Sequence, residues 1–508
     1  MCDTIAINKK FSETMQTILA KNSDRPLGEC QPLGYFPAGT KREKPSCVKS
    51  TSKKMTATVN GTGYCKEGSR FAVIGSRPYW MDGFEMGANE KGLFIGNEAE
   101  GSKCPAETVE GLLGMDMLRC ALEAAETARE AVGVITGLLE TFGQNANASQ
   151  LFDRRYENTF IMCDQKEVWI LETAGRQWVS KKIDDYATVS NCYTITTDWT
   201  ECSKDMKKTV RDNRWLHPSE PVDFAKAYTK PATRQRFSVP RRNQMMKLLF
   251  GCLLQSMNEI AQKRLEDDIE DGKFHDDREL NKALKSYGAS VGVPMLKFIL
   301  GDHFEDEINA GRFSDSGGEN CSICMHANSW DEAKTAASMI MTYEKGIGLK
   351  LLWAPASPCM SVYIPVYWIP GQVPKIPECM SRGSEKFDDE SLWWHMEWAG
   401  QLTGIDEEVY SEDNSNDLLE VELNQEDAQE RIEKLARKLV KDGMEKEAQE
   451  LLNEFTENYA LKAMLAAGDI NDYMIKEIQA DGGFYGPRKE FLKDYAERVS
   501  LFENIVLS

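Results

Sequence analysis

At 508 residues with 41% apolar side chains, the chain is long enough for one large domain with an appendage, or for two to three domains. Its formal net charge of −20 argues against nucleic acid as a partner, because phosphate binding needs a basic face, and weakly against anionic membranes. No run approaches the roughly 20 apolar residues of a membrane span, and no basic region followed by an apolar stretch opens the sequence, so a soluble, cytoplasmic protein is expected.

The first residues hold the chemistry. Cys2 follows the initiator methionine directly. Initiator methionine is trimmed when the next residue is small, which would leave Cys2 with a free α-amine beside its thiol. An amine of reference pKa about 7.7–8.0 is a ready general base at cellular pH. As an ammonium it lowers a neighbouring thiol from about 8.5. Nucleophile and base then share one residue, a task that otherwise takes a Cys–His pair. A cysteine at this position also arises by chance, so the rest of the chain must add support. Residues 3–7 carry the β-branched pattern of a short strand. A second strand over residues 17–20 delivers Lys21, Asn22, Ser23, Asp24 and Arg25 before Pro26 stops the pairing. Such a hairpin brings Lys21 and Asp24 back beside Cys2.

Cys2-Asp3-Thr4 followed by Lys21-Asn22-Ser23-Asp24-Arg25-Pro26 resembles the secernin and dipeptidase A family of N-terminal-nucleophile (Ntn) cysteine hydrolases, and secernins most of all. Relatives more often carry arginine where Lys21 stands; lysine offers a point charge rather than a fork. The resemblance implies Asp24 as the carboxylate that holds the terminal ammonium. Lys21 or Arg25 would then carry a substrate carboxylate or tune the thiol.

Further along, the basic run from Lys41 to Lys54 reads as a solvated edge. Tyr79, Trp80 and Phe84 form an aromatic cluster that either lines a pocket or fills core. Asn89-Glu90-Lys91-Gly92 is a turn signal, and residues 93–97 read as a buried strand ending in Asn97. The resemblance is repeated here and makes Asn97 a candidate oxyanion donor; the alternative is an amide that satisfies the next turn. Amphipathic helices follow over residues 110–125 and from the capping box Thr127–Glu130 to Gly143. A hairpin over residues 158–173 and a strand pair near 177–181 and 187–190 indicate antiparallel sheet. Asn191 falls where the resembling hydrolases place a second asparagine near the nucleophile.

Residues 197–320 look helical and charged. Arg241 and Arg242 sit directly before a helix, with Arg236 nearby, and relatives place an arginine near the nucleophile at such a point. Arg241 is the candidate, against a pair of surface arginines. Strand character returns in 321–326, 336–341, 349–354 and 361–367, segments that again resemble secernins. Cys321 and Cys324 make a lone C-x-x-C among fourteen cysteines, and the chain has only five histidines. With no second pair to supply four ligands, no metal site is expected and both are read as structural thiols, reduced like the others. His326 is read as a satisfied strand residue. No phosphate-cradling glycine motif occurs, so no cofactor is expected. From residue 404 an acidic, exposed segment leads into helices.

The resemblance covers roughly residues 2–400 and implies an α+β fold, the four-layer αββα Ntn sandwich, over residues 2–403. It would carry a helical insertion at about 199–320 and an acidic linker with a helical C-terminal region over 404–508. The implied activity is hydrolysis of amide bonds in short peptides, with Cys2 as nucleophile and Asn97 or Asn191 at the oxyanion. The alternatives are a non-catalytic regulatory or binding protein on the same fold, and an N-acyl amidohydrolase. Partners are then a short peptide or other small amide. The sequence leaves homo-oligomer formation open.

Overall fold

In a computed structural model, residues 1–41, 69–105, 107, 110–150, 153–230, 234–304, 322–327, 329, 332–405, 407–480 and 487–500 are described. Cys321 and the basic run beyond Lys41 lie outside these residues.

Two antiparallel sheets form the centre. The first joins β1 (Cys2–Ile7), β2 (Ile18–Pro26), β10 (Tyr186–Val189), β12 (Ala333–Glu344), β13 (Gly348–Pro355) and β14 (Ile364–Trp368) in the order β10-β1-β2-β12-β13-β14. The second has the order β11-β9-β8-β7-β6-β5-β4-β3. It is built from β3 (Leu33–Phe36), β4 (Val73–Ser76), β5 (Met86–Asn89), β6 (Phe94–Glu100), β7 (Glu157–Cys163), β8 (Val168–Ala174), β9 (Gln177–Ile183) and β11 (Glu201–Cys202).

Alternation along the strands decides what packs where. Ala6, Leu19, Met339 and Leu351 of the first sheet meet Ile74, Phe94, Ile161 and Ile170 of the second in the core between the sheets. The opposite side chains of the second sheet, Ile95, Phe160, Met162 and Leu171, lie under α1 (Gly114–Ala124) and α2 (Ala128–Phe142). As its capping box predicts, α2 starts on Thr127, whose hydroxyl accepts from Glu130 N. It ends on Gly143, whose φ of 74° suits glycine.

After α3 (Met206–Asp212) and α4 (Phe224–Tyr228), the chain covers the other side of the first sheet with α5 (Arg234–Gln255), α6 (Glu259–Glu270), α7 (Asp277–Ser286) and α8 (Val293–Leu300). Met245, Leu249, Leu265, Leu284 and Leu296 pack there on Ile5, Ile18, Ala20 and Ile340. The α+β, four-layer αββα expectation is met. The region expected as an insertion is one of the four layers itself.

Several local expectations are corrected. The second strand does not end at Ala20 and Pro26 does not stop the pairing: Lys21–Arg25 continue β2, and Pro26 still pairs with Ala333 of β12 on its far side. The two segments near 177 and 187 do not pair with each other. The chain changes sheets between them, so β9 joins β8 while β10 joins β1. Residues 322–327 form loop rather than strand. Arg241 and Arg242 lie within α5, directly after Pro240, and not before a helix.

The C-terminal region is not set off by a linker either. After α9 (Glu378–Ser381) and α10 (Leu392–Thr403), the acidic stretch forms the start of α11 (Glu407–Lys441), which turns back as α12 (Glu445–Ala480) before α13 (Pro487–Arg498). Leu452, Tyr459 and Ala463 share the central core with Trp353 and Trp393. Gln449 Nε2 donates to Tyr367 O (2.9 Å) and Thr456 Oγ1 to Pro365 O (2.8 Å), so α12 lies along β14, the last strand of its sheet. A helix there shields an edge that would otherwise be open to pairing.

Candidate active site

Cys2 is the first residue of β1, opposite Ser23 of β2 and only 5% exposed. The period of two sorts its neighbours onto two faces. Toward the second sheet lie Thr4, whose hydroxyl donates to Glu98, and Lys21, whose Nζ is 3.5 Å from Glu98 Oε1. The Lys21 ammonium also donates to Asn22 O (3.3 Å) and lies within electrostatic reach of the Cys2 thiol. On the other face, Asp3 meets α5: Arg241 Nε donates to Asp3 Oδ2 at 2.8 Å, with both side chains fully buried.

The backbone nitrogen of Cys2 is the centre of a second set of contacts. It donates to Asn191 Oδ1 at 2.9 Å. Arg241 Nη2 donates to the same Oδ1 and to Ser190 Oγ, each at 2.8 Å, while Asn191 Nδ2 donates to Ala99 O at 2.8 Å. Asp24 N donates to Met1 O (3.0 Å), and the amine of Met1 donates to Asp24 O (3.4 Å). Asp24 Oδ1 accepts from Thr335 Oγ1 at 2.8 Å. Its other oxygen, Oδ2, is buried with no hydrogen-bond partner among the described residues. A buried acceptor left open beside the chain's amine is costly unless a donor comes to it.

Burial dominates the electrostatics. It pulls the terminal amine of Met1 down from 8.0 to about 6, against Cys2 and Asp24, with Arg154 and Arg241 adding to the fall. It pushes the Asp24 carboxyl up to about 6, opposed by the amine and by Arg241. Glu98 rises to about 7 for the same reason, opposed by Lys21. The Cys2 thiol is raised by burial, against the pull of Lys21 and the amine. With Met1 in place, desolvation of the thiolate outweighs both attractions, and the amine that lowers the thiol here is that of Met1. Burial also works against the Lys21 ammonium, but Cys2, Glu98 and Glu85 outweigh that and raise its pKa. Lys21→Met therefore raises the Cys2 pKa further and slows alkylation of Cys2 at neutral pH, by about tenfold for every 1.4 kcal/mol of thiolate stabilisation lost. Iodoacetamide labelling followed by peptide mapping reads this directly, and an unchanged rate removes Lys21 from the thiol's surroundings.

Of the residues singled out in the sequence, the structure gathers Cys2, Lys21, Asp24, Asn191 and Arg241. Arg241 is not a surface arginine. Asn97 does not join them. Its Nδ2 donates to Asn158 Oδ1 (3.0 Å) and contacts Met115 Sδ of α1 (3.6 Å), on the helix-covered face of β6. Gly96 and Glu98, its neighbours on either side, are the residues that approach Lys21. Arg25 is not free to meet a substrate: its guanidinium is held by Glu29 (2.6 and 2.9 Å), Glu85 (3.1 Å) and Ala148 O (2.8 Å). The residues that sequence reasoning missed are Glu98, Glu85 and Arg154. The strand alternation Phe94, Gly96, Glu98 carried a signal for Glu98.

Asn191 also lines a pocket of about 320 Å³ with Glu100, Glu157, Arg155, Tyr156 and Tyr193. Tyr156 lies within electrostatic reach of Cys2. The pocket therefore abuts the residues around the Cys2 nitrogen, and its walls offer charges of both signs.

The family model for peptidase family C69 matches residues 1–417. A dipeptidase of Bifidobacterium longum (strain NCC 2705) is 29% identical over 205 residues, 37% of this chain and 36% of that protein. The match thus spans about a third of the relative's length. A mutant conjugated bile acid hydrolase from Clostridium perfringens superposes with a TM-score of 0.37 at 13% identity, covering 74% of this chain and 96% of the other. A Caenorhabditis elegans N-acylethanolamine-hydrolyzing acid amidase ortholog gives 0.24 at 11% identity, covering 38% and 71%.

Proposed function

Since the chain belongs to peptidase family C69, we propose that it hydrolyses amide bonds of short peptides with Cys2 as an N-terminal nucleophile once Met1 is removed. The observation that carries this reading is the setting of the Cys2 nitrogen. It is fixed by Asn191, which Arg241 backs, while Asp24, hydrogen-bonded to Met1, keeps a buried Oδ2 with no partner among the described residues. Loss of Met1 turns that nitrogen into an amine among acceptors already in place. It also frees the Asp24 N–H, now spent on Met1 O, and Arg241 Nη1, now 3.2 Å from Met1 Sδ.

The thiol then gives its proton to the α-amine as sulfur attacks the substrate carbonyl carbon. The tetrahedral oxyanion collapses to a thioester as the leaving amine takes the proton back. Water, deprotonated by the same amine, releases the acid and restores the thiol. The second Nδ2 hydrogen of Asn191 is the side-chain donor for the oxyanion, a contribution of about 3–4 kcal/mol in comparable sites. Carboxylates Glu100 and Glu157 in the adjoining pocket suit the ammonium of a short peptide with a free N-terminus. A second reading rests on Met1 itself: kept in place, it caps the site, and the chain is a binding protein on the same fold.

Intact mass with a dipeptide-hydrolysis assay separates the two. A chain that lacks Met1 and turns over dipeptides supports the first; a chain that keeps Met1 and hydrolyses nothing supports the second. The pH profile adds a sharper check. A depressed amine is the active free base above its pKa; burial pulls the Met1 amine below its ordinary value, and a Cys2 amine in the same surroundings should give a kcat/KM that rises with pH below 8. An acid limb near 8 would mean that the amine is solvated and not the base.

A further inference from the structure

Outside the Cys2 site, four metal-ligating side chains converge: His303, Cys324, His326 and Cys359, whose ligand atoms all lie within 4.8 Å of one another. His303 follows α8, Cys324 and His326 sit in the loop before β12, and Cys359 lies between β13 and β14. The Nε2 atoms of the two histidines are 3.2 Å apart. His326 Nε2 is 3.2 Å from Cys359 Sγ and 3.6 Å from Cys324 Sγ. A zinc tetrahedron with bonds of about 2.0–2.1 Å to nitrogen and 2.3 Å to sulfur has N···N edges of about 3.3 Å and S···N edges of about 3.5 Å. These three spacings lie close to such edges, and the ligand atoms of all four residues stay within 4.8 Å of one another. Two thiolates also neutralise a divalent cation, which suits a buried place. His303, Cys324 and His326 are buried, and Cys359 is partly exposed. Cys359 borders a surface pocket of about 580 Å³, a route by which an ion could enter.

We propose that these four residues bind one Zn²⁺ in a closed His₂Cys₂ site that clamps three separate segments onto the back of β2. Four protein ligands leave no position for water, so the role is structural. This goes against the expectation of no metal, which rested on pair spacing. The ligands come from three places in the chain, and only the Cys-x-His of 324–326 is local. What the clamp would hold is specific. Asn22 Nδ2 donates to Leu300 O (2.8 Å) and Ile323 O (3.0 Å), in the segments that carry the ligands. Met325, between two of them, exchanges hydrogen bonds with Thr335, the residue whose hydroxyl reaches Asp24.

The test is metal analysis of the full-length chain purified without affinity metals or chelators. One equivalent of zinc is expected, falling below a tenth in Cys324→Ser/Cys359→Ser. In case that variant fails to fold, the wild-type chain refolded with Co²⁺ should show thiolate-to-cobalt charge transfer and the intense visible bands of tetrahedral cobalt. Three results overturn the proposal: substoichiometric zinc with no tetrahedral cobalt spectrum, equal zinc in the folded double variant, or a Cys324–Cys359 disulfide in the mapped native chain.

Discussion

Cys2→Ala is expected to abolish hydrolysis, with a fall on the order of 10⁴–10⁶-fold as for other covalent nucleophiles, while the fold persists. The side chain removed is small, and β1 keeps its backbone pairing with β2 and β10. The loss of a buried sulfur costs about 1 kcal/mol or slightly more. Cys2→Ser tests the chemistry more finely. It preserves shape and the amine but substitutes a hydroxyl, a much weaker nucleophile than a thiol against a base of low pKa. A third variant, Cys2→Glu, holds Met1 in place because the second residue is then large. Mass spectrometry, thermal melting and dipeptide turnover on all three give the answer. Full turnover by Cys2→Ala at an unchanged melting temperature would place the reaction elsewhere in the molecule.

Arg241→Met should combine the largest stability loss with a large loss of activity. The guanidinium is fully buried and serves Asp3, Ser190 and Asn191 at once. Removing it leaves the Asp3 carboxylate buried without its cation, a change that costs about 3–5 kcal/mol. Asn191 loses the donor that fixes its amide, so the Cys2 nitrogen loses its orientation, and kcat should fall more than KM rises. Arg241→Lys restores charge but not the fork, so it should recover stability better than activity. The cycle with Asp3→Asn checks the cause: the double variant Asp3→Asn/Arg241→Met should be more stable than Arg241→Met alone. If Arg241→Met melts and turns over like the parent chain, the buried pair has no such role.

The site is legible in the sequence where it depends on short-range order. A β-branched run after Cys2 and the polar run ending at Pro26 are enough to place Lys21 and Asp24 beside the thiol. It is illegible where one residue of register decides the face. Asn97 and Glu98 are adjacent on β6, and only the pairing of β6 with β7 turns the carboxylate toward Lys21 and the amide toward α1. Sequence alone leaves Arg241 open between a place near the nucleophile and a surface pair, because its partners, Asp3 and Asn191, come from distant strands. The acidic stretch near residue 412 reads as a linker because composition reports the solvent face of a helix. The buried stripe opposite, Leu418 and Ala436 among others, is sparse. The four metal-ligating side chains are dispersed in the chain for the same reason as the partners of Arg241.

The pairing of β2 with β12 has a consequence for biosynthesis. Residues 18–26 must wait for residues 333–342 before their outer edge is filled, and such distant contacts form late because a long loop has to close first. The surroundings of Cys2 are therefore assembled among the last. If an aminopeptidase removes Met1, as proposed, it must act before the amine is buried. On the proposed reading, trimming must precede that closure, and fast refolding of an untrimmed chain would trap it in the capped form.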